Sequence, residues 1–230
     1  MTTYKSADEV KQDFGDKMGP VLGPYFHALY EEVIWLKDKW REFRELYGAS
    51  EARVDLLNEA APYFFGALHD ALFENILLHI SRLTDKATMG SRENLSMSGL
   101  PSLIGDQEFT TEVATLVNEA LEKSAFARDW RNRHIAHRDR ALALDDNAAA
   151  LAFASRASVE SAIQSISVIV ERVHERYLGS GIYLELSGTL GDASDLLRVL
   201  QEGVAAQKAR ARRFESDQWT EDDLAPRPAI

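Results

Sequence analysis

The sequence contains no cysteine, which excludes disulfide bonds, thiol chemistry and zinc bound by thiolates. No apolar run approaches the roughly 18 residues of a membrane-spanning helix. The first nine residues contain no apolar stretch of the kind found in a secretory signal. We therefore expect a cytoplasmic protein with no membrane contact.

Several motifs that define large enzyme classes are also missing. There is no Walker-type phosphate loop, no Gly-x-Gly-x-x-Gly dinucleotide fingerprint, no Gly-x-Ser-x-Gly elbow and no His-Glu-x-x-His pair. The reaction classes that depend on these motifs lose most of their support. No cofactor is expected from the sequence.

Positive charge is scarce over the chain as a whole. The 26 basic residues are outnumbered by 37 acidic ones, which gives a formal net charge of −11. Because binding along a phosphate backbone needs clustered Lys and Arg, a broad nonspecific DNA-binding groove is not expected. A small local basic site remains compatible with this charge.

Helical periodicity dominates the chain. Between residues 25 and 48, apolar residues recur in alternating steps of three and four, as in a long helix packed lengthwise on a neighbour. Similar patterns predict helices over 51–86 with a bend at Pro62, 107–137 with a break near Ser124, about 156–178, and 192–213. The predicted fold is all-α, a bundle of four to five main helices.

The remaining segments are predicted from their composition. The helix over 51–86 is apolar on nearly all sides and is expected to be central and buried. Residues 87–106 are rich in glycine and are expected to form a loop with a short helical turn. The alternating run 182–186 is too isolated to form a sheet. We predict one helical domain over 1–213 and a flexible acidic tail over 214–230.

One segment of the chain is densely basic. It covers residues 128–140, which read Arg-Asp-Trp-Arg-Asn-Arg-His-Ile-Ala-His-Arg-Asp-Arg. Five arginines and two aspartates give a local charge of about +3, and two histidines lie among them. The guanidinium fork matches phosphate oxygens, and imidazole exchanges protons near neutral pH. In RNA, a base can activate the 2′-hydroxyl against the adjacent phosphate while an acid protonates the leaving oxygen, a route that requires no metal.

The spacing within this segment bears on oligomeric state. Arg133 and His137 are four residues apart and share a face if the helix persists. Arg131 and His137 are six apart, about 120° around a helix and roughly 9 Å along its axis. One helix cannot easily direct both side chains at a single atom, whereas two copies crossing at a two-fold axis can. A catalytic site here therefore favours a symmetric homodimer.

The segment Arg131-Asn132-Arg133-His134-Ile135-Ala136-His137-Arg138-Asp139 resembles the active-site motif of the HEPN superfamily, in the version seen in its AbiU-type abortive-infection branch. The runs 81–85 (Ser-Arg-Leu-Thr-Asp) and 93–96 (Glu-Asn-Leu-Ser) are similar to that branch as well, and the resemblance covers roughly residues 20–205. It implies an all-α bundle that dimerises through the motif helix, metal-independent RNA cleavage in many members, and roles in phage defence or toxin–antitoxin systems.

The resemblance also implies roles for individual residues. Arg131 would bind and stabilise the phosphate, His137 would act as the acid or base, and Asn132 would orient the site. Arg133 and His134 would contribute from nearby positions. The expected partners are RNA, a second copy of the chain, and an antitoxin or other protein.

Other interpretations of the same residues stay open. Arg128-Asp129 followed by His134 repeats the spacing of Arg131-Asn132 followed by His137, so the segment holds two candidate frames. Many HEPN proteins are non-catalytic, so the alternative function is a scaffold that binds a nucleotide, RNA or a protein.

Two further pairs of residues have spacings that suggest other roles. Arg82 and Asp85 are expected to pair or to cap a helix end, with support of the motif helix as the other interpretation. Glu171 and His174 have the spacing of a di-iron ligand pair but lack a second such pair, and are expected to lie on a helix surface.

Overall fold

The computed structural model describes residues 6–137, 139–145, 148–184 and 190–225. The helices are α1 (Ala7–Met18), α2 (Leu22–Tyr47), α3 (Glu51–Ala60), α4 (Pro62–Leu83), α5 (Gln107–Lys123), α6 (Ala125–Trp130), α7 (Arg140–Leu144), α8 (Arg156–Leu178), α9 (Ala193–Glu215) and α10 (Glu221–Leu224). A 3₁₀ helix covers Met97–Leu103, and a π-helical turn covers Arg131–Ile135. The predicted all-α class is confirmed. In the described part of the chain, no helix is both long and apolar enough to cross a membrane.

The helix ends follow local capping chemistry. The side chains of Ser50 and Ser155 accept hydrogen bonds from backbone amides in the first turns of α3 and α8. Gly179 ends α8 with φ of 69°, a left-handed conformation that glycine adopts without strain. Helix α1 was not predicted, although Ser6 and Glu9 form a capping box that marks its start in the sequence.

The expected bend at Pro62 is a complete break between two helices. Ala61 has φ of −162° and ψ of 77°, which ends α3, and Pro62 then begins α4. Proline is well suited to this position because its missing N–H is not needed in the first turn of a helix. The expectation of a central, buried helix is wrong for the start of α4, where Tyr63 is 95% exposed and Phe64 is 64% exposed.

The chain divides into two compact units, residues 1–40 with 72–187 and residues 41–71 with 188–230. In the first unit, α5 packs along α8, and α1 also contacts α8. Its fully buried side chains include Phe26, Leu29, Val33, Leu36, Ile76, Leu77, Ile80, Val113, Ile166, Ile169 and Val170. In the second unit, α3 packs against α9 and buries Leu57. The single domain expected over 1–213 stays a prediction.

The connecting segments contain little regular secondary structure. The loop expected over 87–106 contains a two-stranded antiparallel hairpin, β1 (Thr88–Met89) and β2 (Arg92–Glu93), followed by the 3₁₀ helix. Residues 181–184 are irregular, and the rest of the alternating run lies outside the described residues. In the expected tail, the Asp223 carboxylate accepts hydrogen bonds from Arg213, at the end of the predicted domain, and from the amide and hydroxyl of Thr220. Residues 226–230 lie outside the described part. The flexibility of that tail stays a prediction.

His79 is a buried histidine on α4. It is only 3% exposed, and its Nε2 lies 2.8 Å from Oε2 of Glu32 on α2. Burial, together with the positive charges of Lys39 and Arg82, lowers the pKa of His79 to about 4, against the opposing effect of Glu32. His79 is therefore neutral in the folded protein at pH 7.

We expect the free energy of unfolding to fall as the pH drops from about 6.5 to 4. In that window an unfolded His79, with its ordinary pKa of 6.5, binds a proton that the folded protein does not bind. The difference of between two and three pKa units corresponds to about 3 kcal/mol. Urea unfolding at several pH values measures how the free energy of unfolding changes across this window. His79→Gln should be less pH-sensitive than the wild type across this window, and equal slopes would contradict the assignment.

Candidate functional site

The basic segment leaves α6 through the π-helical turn. The amide of Ala136 donates to the carbonyl of Arg131, five residues earlier, at 2.8 Å, and the helix ends here. Because the helical segment ends at Ile135, before His137, the condition for Arg133 and His137 to share a helical face is not met. Single π-helical turns occur frequently at functional sites.

Arg131 is held by Asp85, which follows the end of α4. One terminal nitrogen of Arg131, Nη1, donates to both carboxylate oxygens of Asp85, at 2.7 and 2.5 Å. The two side chains are only 20% and 16% exposed. Nε of Arg131 donates to Oδ1 of Asn132 at 3.1 Å. Within the described residues, Nη2 of Arg131 has no hydrogen-bond acceptor, so one edge of the guanidinium remains available.

The expected pairing of Asp85 with Arg82 is not observed. Nη2 of Arg82 instead lies 3.5 Å from Oε2 of Glu32. Asp85 instead supports the motif segment, which was the other interpretation of this residue. It does so across 46 positions of sequence, a separation that no local pattern reveals.

Arg128, in the alternative frame, fastens α6 to the end of α4. Its Nη1 lies 3.2 Å from the hydroxyl of Thr84, and its Nη2 donates to the carbonyl of Leu121. Burial and the nearby charge of Arg131 lower the pKa of Arg128, and Asp85 opposes them. Two guanidinium groups therefore lie around one carboxylate.

Three side chains of the segment form hydrogen bonds with the backbone of residues 149–152. Asp129 accepts from the amide of Ala152 at 2.8 Å, and the indole of Trp130 donates to the carbonyl of the same residue at 2.8 Å. Arg133 donates to the carbonyls of Ala149 and Ala150, the latter at 3.1 Å. These contacts bind the motif to the segment that leads into α8.

His134 is also engaged within the protein. Its Nε2 lies 3.2 Å from Oε1 of Glu74 on α4. The imidazole ring of His134 and the indole ring of Trp130 pack edge to face. No pattern in the sequence indicated the contact with Glu74. Arg128, Asp129 and His134, the members of the alternative frame, thus all make structural contacts.

His137 and Asn132, by contrast, face solvent. Both are exposed, and no described residue forms a hydrogen bond or ion pair with the His137 side chain. Arg138 lies outside the described residues. Arg131, Asn132 and His137 therefore combine one anchored cation with two solvent-facing polar groups.

Asp139 closes the segment by capping α7. Its Oδ1 accepts from the amides of Ala141 and Leu142 at 2.8 and 3.2 Å, and its Oδ2 lies 3.6 Å from Nε of Arg133. The hydrogen bond from the Leu142 amide, helped by Ala141 and Arg133, holds the pKa of Asp139 below its usual range. Asp139 is a fixed, ionised acceptor beside the turn.

Glu171 and His174 were expected to lie on a helix surface, and for His174 this expectation is wrong. His174 is 7% exposed, its Nδ1 lies 2.9 Å from the carbonyl of Ser180, and its ring packs edge-on against Phe14. These contacts explain the residue as part of the packing of α8 against α1. No group of three His, Asp or Glu side chains in the described ranges is arranged to hold a metal ion.

Over residues 21–198, well over half its length, the chain matches the HEPN AbiU2 family. The matched region includes the whole basic segment and Asp85, Glu74 and the chain at 149–152 that support it. No curated protein and no solved structure matches the chain.

Proposed function

Because the chain belongs to the AbiU2 family of HEPN proteins, we propose that it is a metal-independent endoribonuclease of a phage-defence or toxin–antitoxin system. Arg131 and His137 are its catalytic residues and Asn132 supports them. The observation that carries this proposal is the state of these three side chains. Arg131 is anchored on Asp85 with a free edge, Asn132 accepts a hydrogen bond from its Nε, and both Asn132 and His137 are exposed to solvent.

The proposed reaction is an internal transfer within RNA. The 2′-oxygen attacks the adjacent phosphorus and loses its proton to a base, while the bond from phosphorus to the 5′-oxygen breaks and that oxygen takes a proton from an acid. His137 serves one of these two proton transfers. Arg131 binds the phosphate and stabilises the charge that builds on its oxygens. The products are a 2′,3′-cyclic phosphate and a 5′-hydroxyl.

The geometry supports the frame of Arg131 and His137 over that of Arg128 and His134. Arg128 is committed to Thr84 and Leu121, and His134 lies against Glu74. A phosphate would have to displace these contacts, and the exchange would offset its binding energy. Arg133 and His134 then contribute near the site rather than at the reacting atoms.

We place the complete site across a homodimer. Arg131 begins the π-helical turn and His137 lies beyond its end, so the two side chains of one chain do not follow each other on one helical face. A second copy related by a two-fold axis brings Arg131 of one chain to His137 of the other. Exposed Leu144 and Phe153, at 76% and 85%, offer apolar surface near the motif for such a contact.

Cleavage of labelled single-stranded RNA by the purified protein in EDTA tests the function. We expect products that end in cyclic phosphate, and no cleavage of a matched DNA strand, which lacks the attacking hydroxyl. Cleavage that needs an added divalent metal, or that leaves 5′-phosphate ends, would contradict the proposed reaction. An antitoxin or other protein partner is a further part of this proposal, and it would lower the cleavage rate when added.

The second candidate is a non-catalytic scaffold that binds a nucleotide, RNA or a protein through the same arginines. The net charge of −11 favours it, because an extended RNA track needs clustered cations. Saturable RNA binding with no cleavage in either the presence or the absence of metal would support the scaffold.

A further inference from the structure

A hollow of about 330 Å³ lies directly beside the π-helical turn. Its walls are aliphatic and come from Leu142 and Ala143 on α7 and from Ala150 and Leu151 on the facing chain. The volume is at the small end of ligand pockets, which suits one flat ring system rather than an extended molecule.

Three polar side chains of the motif segment complete the lining. They are Arg133, His134 and Asp139. Asp139 supplies a carboxylate oxygen that its capping role leaves facing Arg133. His134 uses Nε2 toward Glu74, and its other ring nitrogen has no partner among the residues that the structure describes. The hollow thus joins an apolar surface to a few groups that can donate or accept.

The hollow is built by contacts already present in the protein. Arg133 holds the carbonyls of Ala149 and Ala150, and Trp130 and Asp129 hold Ala152. These bonds hold the wall formed by Ala150 and Leu151 against the π-helical turn, which leads into the α7 wall. A preformed site of this kind loses little entropy when a ligand binds.

We propose that this hollow is a nucleobase subsite, which takes the base of a nucleotide flanking the scissile phosphate of single-stranded RNA. Proteins recognise such RNA by bases turned out of the stack, held by apolar, aromatic or guanidinium surfaces and by hydrogen bonds to their edges. Arg133 and His134 directly follow Arg131 and Asn132, so base and phosphate would be bound from adjacent positions of one turn. The inference rests on the proposed function and assigns its substrate contact.

Ala150 and Ala149 provide a matched pair of variants. Both are exposed, so a larger side chain does not disturb the core, but Ala150 lines the hollow and Ala149 does not. Ala150→Phe fills the hollow, and Ala149→Phe adds the same side chain one position away. The probe is a 2′-fluoro RNA heptamer, which cannot be cleaved, with each base removed in turn.

We expect the wild type to lose at least roughly tenfold in affinity when the base at one position is removed, as measured by fluorescence anisotropy. Ala149→Phe should keep this dependence and Ala150→Phe should lose it. Equal binding of all the abasic probes, no binding of any probe, or a dependence that survives in Ala150→Phe would overturn the subsite. Tighter binding of a free mononucleotide than of the intact heptamer would overturn its assignment to RNA.

Cleavage of natural RNA by the same preparations separates the two proposals. Base-dependent binding without cleavage would leave the subsite standing and overturn the ribonuclease. Cleavage in EDTA with no base dependence would overturn the subsite alone.

Discussion

His137→Ala is expected to lower kcat for RNA cleavage by about a hundredfold to ten-thousandfold, the usual range for removal of a general acid or base. The residue is exposed and its side chain has no partner in the described part of the chain, so its loss should leave the fold intact. Thermal unfolding of both proteins, measured beside kcat, checks this. The unfolding midpoint of His137→Ala should agree closely with that of the wild type.

His134→Ala is the matched control for that variant. It removes the histidine of the alternative frame, whose ring lies against Glu74 and lines the hollow. We expect it to change KM more than kcat. A large loss of kcat in His134→Ala, with activity retained in His137→Ala, would mean that Arg128 and His134 form the reacting pair.

Asp85→Ala is expected to lower kcat by roughly tenfold to a hundredfold, although Asp85 does not touch the substrate. Without the carboxylate, Arg131 loses both hydrogen bonds of its Nη1, and its repulsion with the nearby Arg128 is no longer offset by the charge of Asp85. A catalytic group that is free to move adopts the productive geometry less often. We therefore expect Asp85 to act as a positioning residue for Arg131.

A double-mutant cycle distinguishes positioning from a general loss of structure. If Asp85 acts through Arg131, then Asp85→Ala added to Arg131→Ala should lower kcat little further. Additive losses, or an equal effect from the neighbouring control Arg82→Ala, would contradict the positioning role. Asp85→Asn, which keeps the shape and one acceptor, should fall between the wild type and Asp85→Ala.

The helices were largely predictable because their apolar spacing is set by packing over many residues. The seam of α2 is an example, where Phe26, Leu29, Val33 and Leu36 are all fully buried. The break at Ala61 was predicted only as a bend, because a proline in the sequence indicates an interrupted helix but not whether the helix bends or ends. Tyr63 and Phe64 show a second limit, since an apolar residue in a helix need not be covered within one chain.

The sequence proposes the residues of the candidate site but does not reveal their geometry. The motif at 131–137 is visible in the sequence, and so is the ambiguity of its two frames. The contacts that distinguish them come from distant positions, as when Asp85 binds Arg131 and Glu74 approaches His134. The π-helical turn was also missed, because the same residues fit a regular helix and no helix propensity scale separates the two.

Mixing two inactive variants is the most direct test of a site shared between chains. Arg131→Ala and His137→Ala are refolded together or co-expressed, and RNA cleavage in EDTA is measured. If Arg131 of one chain works with His137 of the other, half of the dimers contain one complete site out of two, so we predict about a quarter of wild-type activity. A mixture as inactive as its components, in confirmed mixed dimers, would contradict it.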